Sequence, residues 1–276
     1  MKGKLSVVIE LSKESVEINL CLLADKLLSL PEIEYIKVRE LEINKSNKNA
    51  MITSAANKCY HDSYSDIDLC VVVKLPAEGE ISPDEYMKHI EHWGFSAEMI
   101  LGICFVPENN MYRIILKNGM RYDFGFEFVF QENAPVINLK PINRQNSNAD
   151  WPLENINRFW FVQIQALGKL YRNDFLISSH LANMNINETL VQQMILRDMK
   201  YNTNHHRYGY KEELIYSKYT AQCPYKSGNT TFDYIADRIY SAALAYDELA
   251  SFFYDDYKPR SKAFFDIWKC YEEQRN

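Results

Sequence analysis

The sequence has no apolar run approaching the roughly 20 residues that a membrane-spanning helix needs. No secretion signal is expected at its start either, because Glu10 interrupts the apolar stretch that follows Lys2 and Lys4 too early for a signal-peptide core. Glycine and proline are scarce, nine of each in 276 residues, while 47% of residues are apolar and 25% charged. That balance excludes a collagenous, low-complexity or disordered chain. A cationic surplus is also missing: 31 Lys and Arg stand against 37 Asp and Glu, for a net charge of -6. A general nucleic-acid binder needs a positive footprint over phosphates, so no nucleic-acid partner is expected, and a cationic small molecule suits this field better. Six cysteines are present (Cys21, Cys59, Cys70, Cys104, Cys223, Cys270), but none forms a C-x-x-C pair. They read as core thiols of a reduced, cytoplasmic chain, not as a disulfide framework or a zinc site.

What is there divides into two characters. Val16, Leu20, Leu23, Leu27 and Leu30 keep the four-three spacing of one helical face, with Ser12 as its cap and Pro31 as its stop. Strands are expected at 35–43 and 50–54, separated by the polar stretch NKSNKN; a loop of small and polar residues then leads to a buried strand at 67–73. A short helix follows Ser82-Pro83. Asn118-Gly119 lies between β-prone runs at 112–117 and 120–130, which predicts a hairpin closed by a type I′ turn. Residues 131–150 are dominated by Asn, Pro, Gln and Ser, and a domain boundary is placed near Asp150, before a helix starting at Trp151-Pro152. Beyond it the pattern is helical: 154–172, 186–201, and the series Ile235, Ile239, Ala242, Tyr246, Leu249, Phe253. The expected fold class is α+β. Residues 1–150 would form a mixed sheet flanked by helices, residues 151–276 a helical bundle, with a cleft between them.

The chemistry concentrates in aspartates. In SDIDLCVVV, Asp66 and Asp68 open a strand on one face, with Ile67 and Leu69 on the other. Their Cα atoms would be about 6 to 7 Å apart, close enough for both carboxylates to meet one Mg²⁺. Without a cation, their mutual repulsion beside an apolar strand is costly. A D-x-D triplet arises by chance in a chain this acidic, and two further features raise its weight. About a dozen residues upstream, the Ser54 hydroxyl and neighbouring backbone N–H groups are placed to cradle a triphosphate. Downstream, RYDFGFEF sets Asp123 in an aromatic strand, on the same pleat face as Gly125 and Glu127. A third carboxylate beside the pair is what two-metal phosphoryl or nucleotidyl transfer requires.

This arrangement resembles the nucleotidyltransferase superfamily that includes DNA polymerase β, with its Gly-Ser, spacer, Asp-x-Asp and later strand Asp. It looks closest to the aminoglycoside 6-adenylyltransferase (streptomycin adenylyltransferase) family. There an Asp-Gly-Asn-Arg-Ile-Asp-Leu segment brings in the third carboxylate, and LKNGMRYDFGFEF stands in that place. NRFWFVQIQALGKLYRNDFLISSHLANMN is similar to the family's Phe-Trp-Trp helix and the His-Leu segment after it. The likeness runs from about residue 50 to 255. It implies a nucleotidyltransferase domain followed by a helical domain, and transfer of AMP from Mg-ATP to a hydroxyl of a small, often cationic acceptor, an antibiotic-resistance type of activity. Asp66, Asp68 and Asp123 would be the metal ligands. Asp123 or Glu127 would take the acceptor's proton. Lys169 and Arg172, one turn apart, would meet the triphosphate. Two departures stand out: Thr53-Ser54-Ala55 replaces Gly-Ser, and 44–49 reads as an insertion.

The remaining signals take plainer readings. His89 and His92 read as solvent-exposed polar residues, not zinc ligands, and His205-His206-Arg207 as surface loop. Lys58 and His61 sit in the expected phosphate loop. Trp151, Phe159, Trp160 and Phe161 read as core at a domain interface. Asp247, Glu248, Asp255 and Asp256 read as a wet helix end. Two alternatives stay open: a catalytically lapsed nucleotide-binding or regulatory protein of the same fold, and a nucleotidyltransferase acting on a macromolecule.

Overall fold

The structure, a computed structural model, describes residues 12–62, 64–77, 81–139, 156–203 and 213–275. The expected helix start at Trp151-Pro152 and the loop at His205-His206-Arg207 lie outside them. The chain divides into two compact units, Met1–Ser147 and Asn148–Asn276. The described residues form an α+β protein with one mixed six-stranded sheet, seven α-helices and a helical C-terminal region. No described helix is long and apolar enough to cross a membrane.

The first unit begins with α1 (Lys13–Leu28), capped reciprocally by Ser12 and Ser15, and buries Val16, Leu20, Leu23 and Leu27 as one stripe. Helix α1 ends at Leu28, so Leu30 falls in the turn before Pro31. The strand expected at 35–43 is a hairpin: β1 (Ile33–Val38) and β2 (Leu41–Ile43) turn at Arg39, which holds φ 54°. The strand expected at 50–54 is instead part of α2 (Lys48–Cys59). Ile52, Ala55, Ala56 and Cys59 are its buried residues, and their i, i+3, i+4, i+7 spacing is helical, which overrides the β-propensity of Ile52 and Thr53. The polar segment before α2 is a built turn. Asn44 Oδ1 accepts from the N–H groups of Ser46 (2.9 Å) and Asn47 (3.1 Å), and Asn47 Oδ1 accepts from Asn44 N–H (2.8 Å).

Then come β3 (Ile67–Leu75), α3 (Pro83–Met87), β4 (Ile100–Val106), β5 (Met111–Leu116) and β6 (Arg121–Phe130). Sheet order is β2-β1-β3-β6-β5-β4, with β3 and β6 parallel and every other pair antiparallel. The β5–β6 turn departs from type I′. Of Asn118 and Gly119 only Gly119 has positive φ (85°); Gly119 N–H donates to Leu116 O, and Leu116 N–H to Met120 O. This is a three-residue loop, a type I turn closed by a glycine bulge.

One sheet face is core. Phe124 and Phe126 of β6 pack on Trp93 at ring-centroid distances of 5.4 and 4.4 Å, and Phe95 adds an edge contact. Beneath them the buried Glu32 accepts from Tyr86 Oη (3.1 Å) and lies 2.6 Å from His92 Nε2; His89 pairs with Glu85 at 3.0 Å. Both histidine side chains are therefore largely buried and held against carboxylates, not the solvent-exposed residues expected.

The second unit contains α4 (Ile156–Tyr171), α5 (Phe175–Tyr201), α6 (Thr231–Phe253) and α7 (Ser261–Arg275). Trp160 is fully buried against Phe159, Tyr246 and Phe264, so it is core of this unit itself. Asp247 is also buried, contrary to expectation. It accepts from Tyr257 Oη (2.5 Å) and from the N–H groups of Arg260 (3.1 Å) and Ser261 (2.8 Å), anchoring the start of α7 to α6.

Candidate active site

The face opposite the aromatic core carries the acidic residues. On β3 it presents Asp68 and Cys70, on β6 Asp123, Gly125 and Glu127. Asp68 pairs in register with Asp123, and Asp123 with Arg113 of β5. On the other flank, Lys37 pairs with Cys70, so antiparallel counting brings Arg39 level with Asp68. The β1–β2 turn and three neighbouring strands thus contribute one line of charge, Arg39, Asp68, Asp123, Arg113. Asp66 precedes β3 by one residue, in a turn fixed by Ser65, whose Oγ accepts from His61 N–H (3.0 Å) and Asp62 N–H (2.9 Å). Arg121 closes this turn from below: its Nη1 donates to Tyr64 O at 2.8 Å, and its Nη2 stands 3.8 Å from Asp66 Oδ2.

Two of the three carboxylates are raised by burial and by their acidic neighbours. Burial, and then the Asp66 charge, push Asp123 up to about 6, with Asp68 adding to the effect while Arg113 and Arg121 oppose it. Asp68 is raised by burial and by Asp66, against Arg39 and Arg113. Three hard-oxygen donors whose negative charge is incompletely offset suit a divalent cation such as Mg²⁺. No three His, Cys, Asp or Glu side chains among the described residues already stand in a ligating group, and arginines approach each aspartate instead.

The other expected site residues lie as follows. Ser54 is exposed on the second turn of α2, so the loop expected to cradle phosphate is helix and its backbone N–H groups serve the helix ladder. Lys58, in the last turn of α2, pairs with Glu40 at 3.4 Å. Glu127 is four residues along β6 from Asp123, about 13 Å at Cα, and pairs with Lys37 at 2.5 Å. Lys169 ends α4 and pairs with Asp174 at 3.4 Å, and Arg172 follows in the turn to α5. His61 stands 3.0 Å from Arg39 Nη2. The residues sequence reasoning missed are the arginines, Arg39, Arg113 and Arg121. Arg121 was open to discovery, two residues before Asp123 on one face. Arg113 was not: a two-residue type I′ turn would have set Ile114 opposite Asp123, and the glycine bulge shifts the pairing by one.

No family model matches the chain, and no curated protein does either.

Proposed function

We propose that the first unit carries a Mg²⁺-dependent nucleotidyltransferase site, which transfers AMP from ATP to a hydroxyl of a small, cationic acceptor of aminoglycoside type and releases pyrophosphate. The observation that carries this reading is the register match of Asp68 with Asp123, with Asp66 one residue before β3. Asp66, Asp68 and Asp123 would hold the ion, which when bound neutralises phosphate charge and steadies the oxygens that attack and leave. Asp123 is the carboxylate placed to take the acceptor's proton: in the metal-free protein burial and Asp66 raise it above an ordinary carboxylate, and a bound cation would draw it back down. Glu127 is less suited, being engaged by Lys37 and remote along the strand. The freed oxygen attacks the α-phosphorus, and the bond to the bridging oxygen breaks.

A pyrophosphate-release assay over nucleoside triphosphates and aminoglycosides tests this. Asp66→Asn and Asp68→Asn are each expected to abolish turnover with an unchanged circular dichroism spectrum. Full turnover in both would overturn the reading. A lapsed binding protein is the second reading, favoured by one observation: Arg39, Arg113 and Arg121 stand beside the three aspartates and offset their charge without a metal. ATP binding with no pyrophosphate release across the same panel would select it.

A further inference from the structure

With Ser54 in a helix, the described residues of the first unit hold no glycine-serine cradle for phosphate, and the cations beside the aspartates become the natural alternative. Arg39 and Arg113 close the two ends of the charged line. Their contacts with it are loose. Arg39 Nη2 is 3.7 Å from Asp68 Oδ2, too long for a hydrogen bond. Arg113 Nε comes within 3.3 Å of Asp123 Oδ2, yet this buried nitrogen makes no hydrogen bond. The two side chains remain 40% and 39% exposed and so can meet a ligand from solvent, Arg39 while keeping or giving up its Nη2 contact with His61 Nε2 at 3.0 Å. Arg121 differs: it is 11% exposed and fastened to the Tyr64 carbonyl. Arg39 is also held at φ 54°, a left-handed conformation that costs a residue with a side chain on the order of 1 kcal/mol and that a turn glycine would avoid. Such strain at a turn that carries a charged side chain to the aspartates is characteristic of binding sites.

Resting on the nucleotidyltransferase reading, we propose that Arg39 and Arg113 are the phosphate-binding arms of the site, taking the β- and γ-phosphates of the nucleotide and retaining the pyrophosphate as it leaves. Planar guanidinium groups flanking the carboxylate pair suit bidentate contact with phosphate oxygens. In the transfer the acceptor oxygen forms its bond to the α-phosphorus while its proton passes to Asp123. The bond from the α-phosphorus to the bridging oxygen breaks. That oxygen keeps the electron pair, and the added negative charge on pyrophosphate falls beside the two arginines.

The test is calorimetry on the full chain in Mg²⁺, with inorganic pyrophosphate, ATP and AMP as separate probes. Arg39→Met and Arg113→Met are each expected to weaken pyrophosphate and ATP by about tenfold or more and to leave AMP within about twofold. Arg39→Lys and Arg113→Lys should recover part of the loss, and Lys88→Met, a remote charge deletion, should change nothing. Unchanged pyrophosphate affinity in both Met variants, where the wild type binds, overturns the proposal and leaves the nucleotidyltransferase reading standing. So does an equal loss of AMP. A wild type that binds neither ATP nor pyrophosphate overturns both. If a Met variant fails to fold, its Lys counterpart decides: a partial loss of pyrophosphate affinity with AMP unchanged supports the assignment, and wild-type pyrophosphate affinity in the folded Lys variant refutes it.

Discussion

At the scale of single residues, Asp123 carries the sharpest consequence. Burial and two neighbouring aspartates push it up to about 6 in the folded protein, above its ordinary carboxylate value. Between about pH 4 and pH 6 the folded state therefore binds more protons than the unfolded state, and stability falls as pH rises through that window. The fall is on the order of 1 to 3 kcal/mol. Asp123→Asn should flatten that slope and leave the metal-free protein more stable above pH 6, as read by urea midpoints at pH 5 and pH 7.5. An unchanged slope would show that Arg113 and Arg121 already offset the charge. The aspartates were legible in the sequence, because a carboxylate inside an aromatic strand announces its need for a partner. Arg39 and Arg113 were hidden, because their place depends on strand pairing that no local pattern encodes.

At the scale of elements, α2 is the instructive case. Its Ala and Asn content, its helical stripe and the asparagine-built turn at 44–47 agree with one another, while the strand reading rested on two β-branched residues. Because Ser54 is exposed on that helix, Ser54→Ala should leave ATP affinity unchanged. It should hold or slightly raise thermal stability, by a few tenths of a kcal/mol from helix propensity. A tenfold loss of ATP affinity in this variant would restore the serine to the site. Helix α7 lies in the region read as helical, but its start was not legible, for a related reason. Its anchor, Asp247, looks like one of several acids at a helix end, and its partners at Tyr257, Arg260 and Ser261 become visible only once the chain has turned.

At the scale of the whole molecule, the change from period-two to helical patterning across residues 131–156 made the α+β organisation readable, since a sheet face and a helical stripe impose different spacings. All members of the charged line, together with Asp66 and Arg121, belong to the unit Met1–Ser147. A fragment ending at Ser147 should therefore bind Mn²⁺, a paramagnetic stand-in for Mg²⁺, with the affinity of the full chain, measured by electron spin resonance. Loss of that binding in a fragment that keeps its strand spectrum would assign part of the metal site to residues after Ser147.

The glycine-bulge turn between β5 and β6 decides which side chain faces Asp123, and it does so by the pair on which it closes, Leu116 and Met120. Removing one residue from 117–119 leaves a two-residue connection between that same pair, so Arg113 stays opposite Asp123. Removing a residue between Arg113 and Leu116 would instead slide the outer part of β5 by one and carry Arg113 away from Asp123. Descendants of this sequence can therefore shorten the loop more freely than the strand that leads into it.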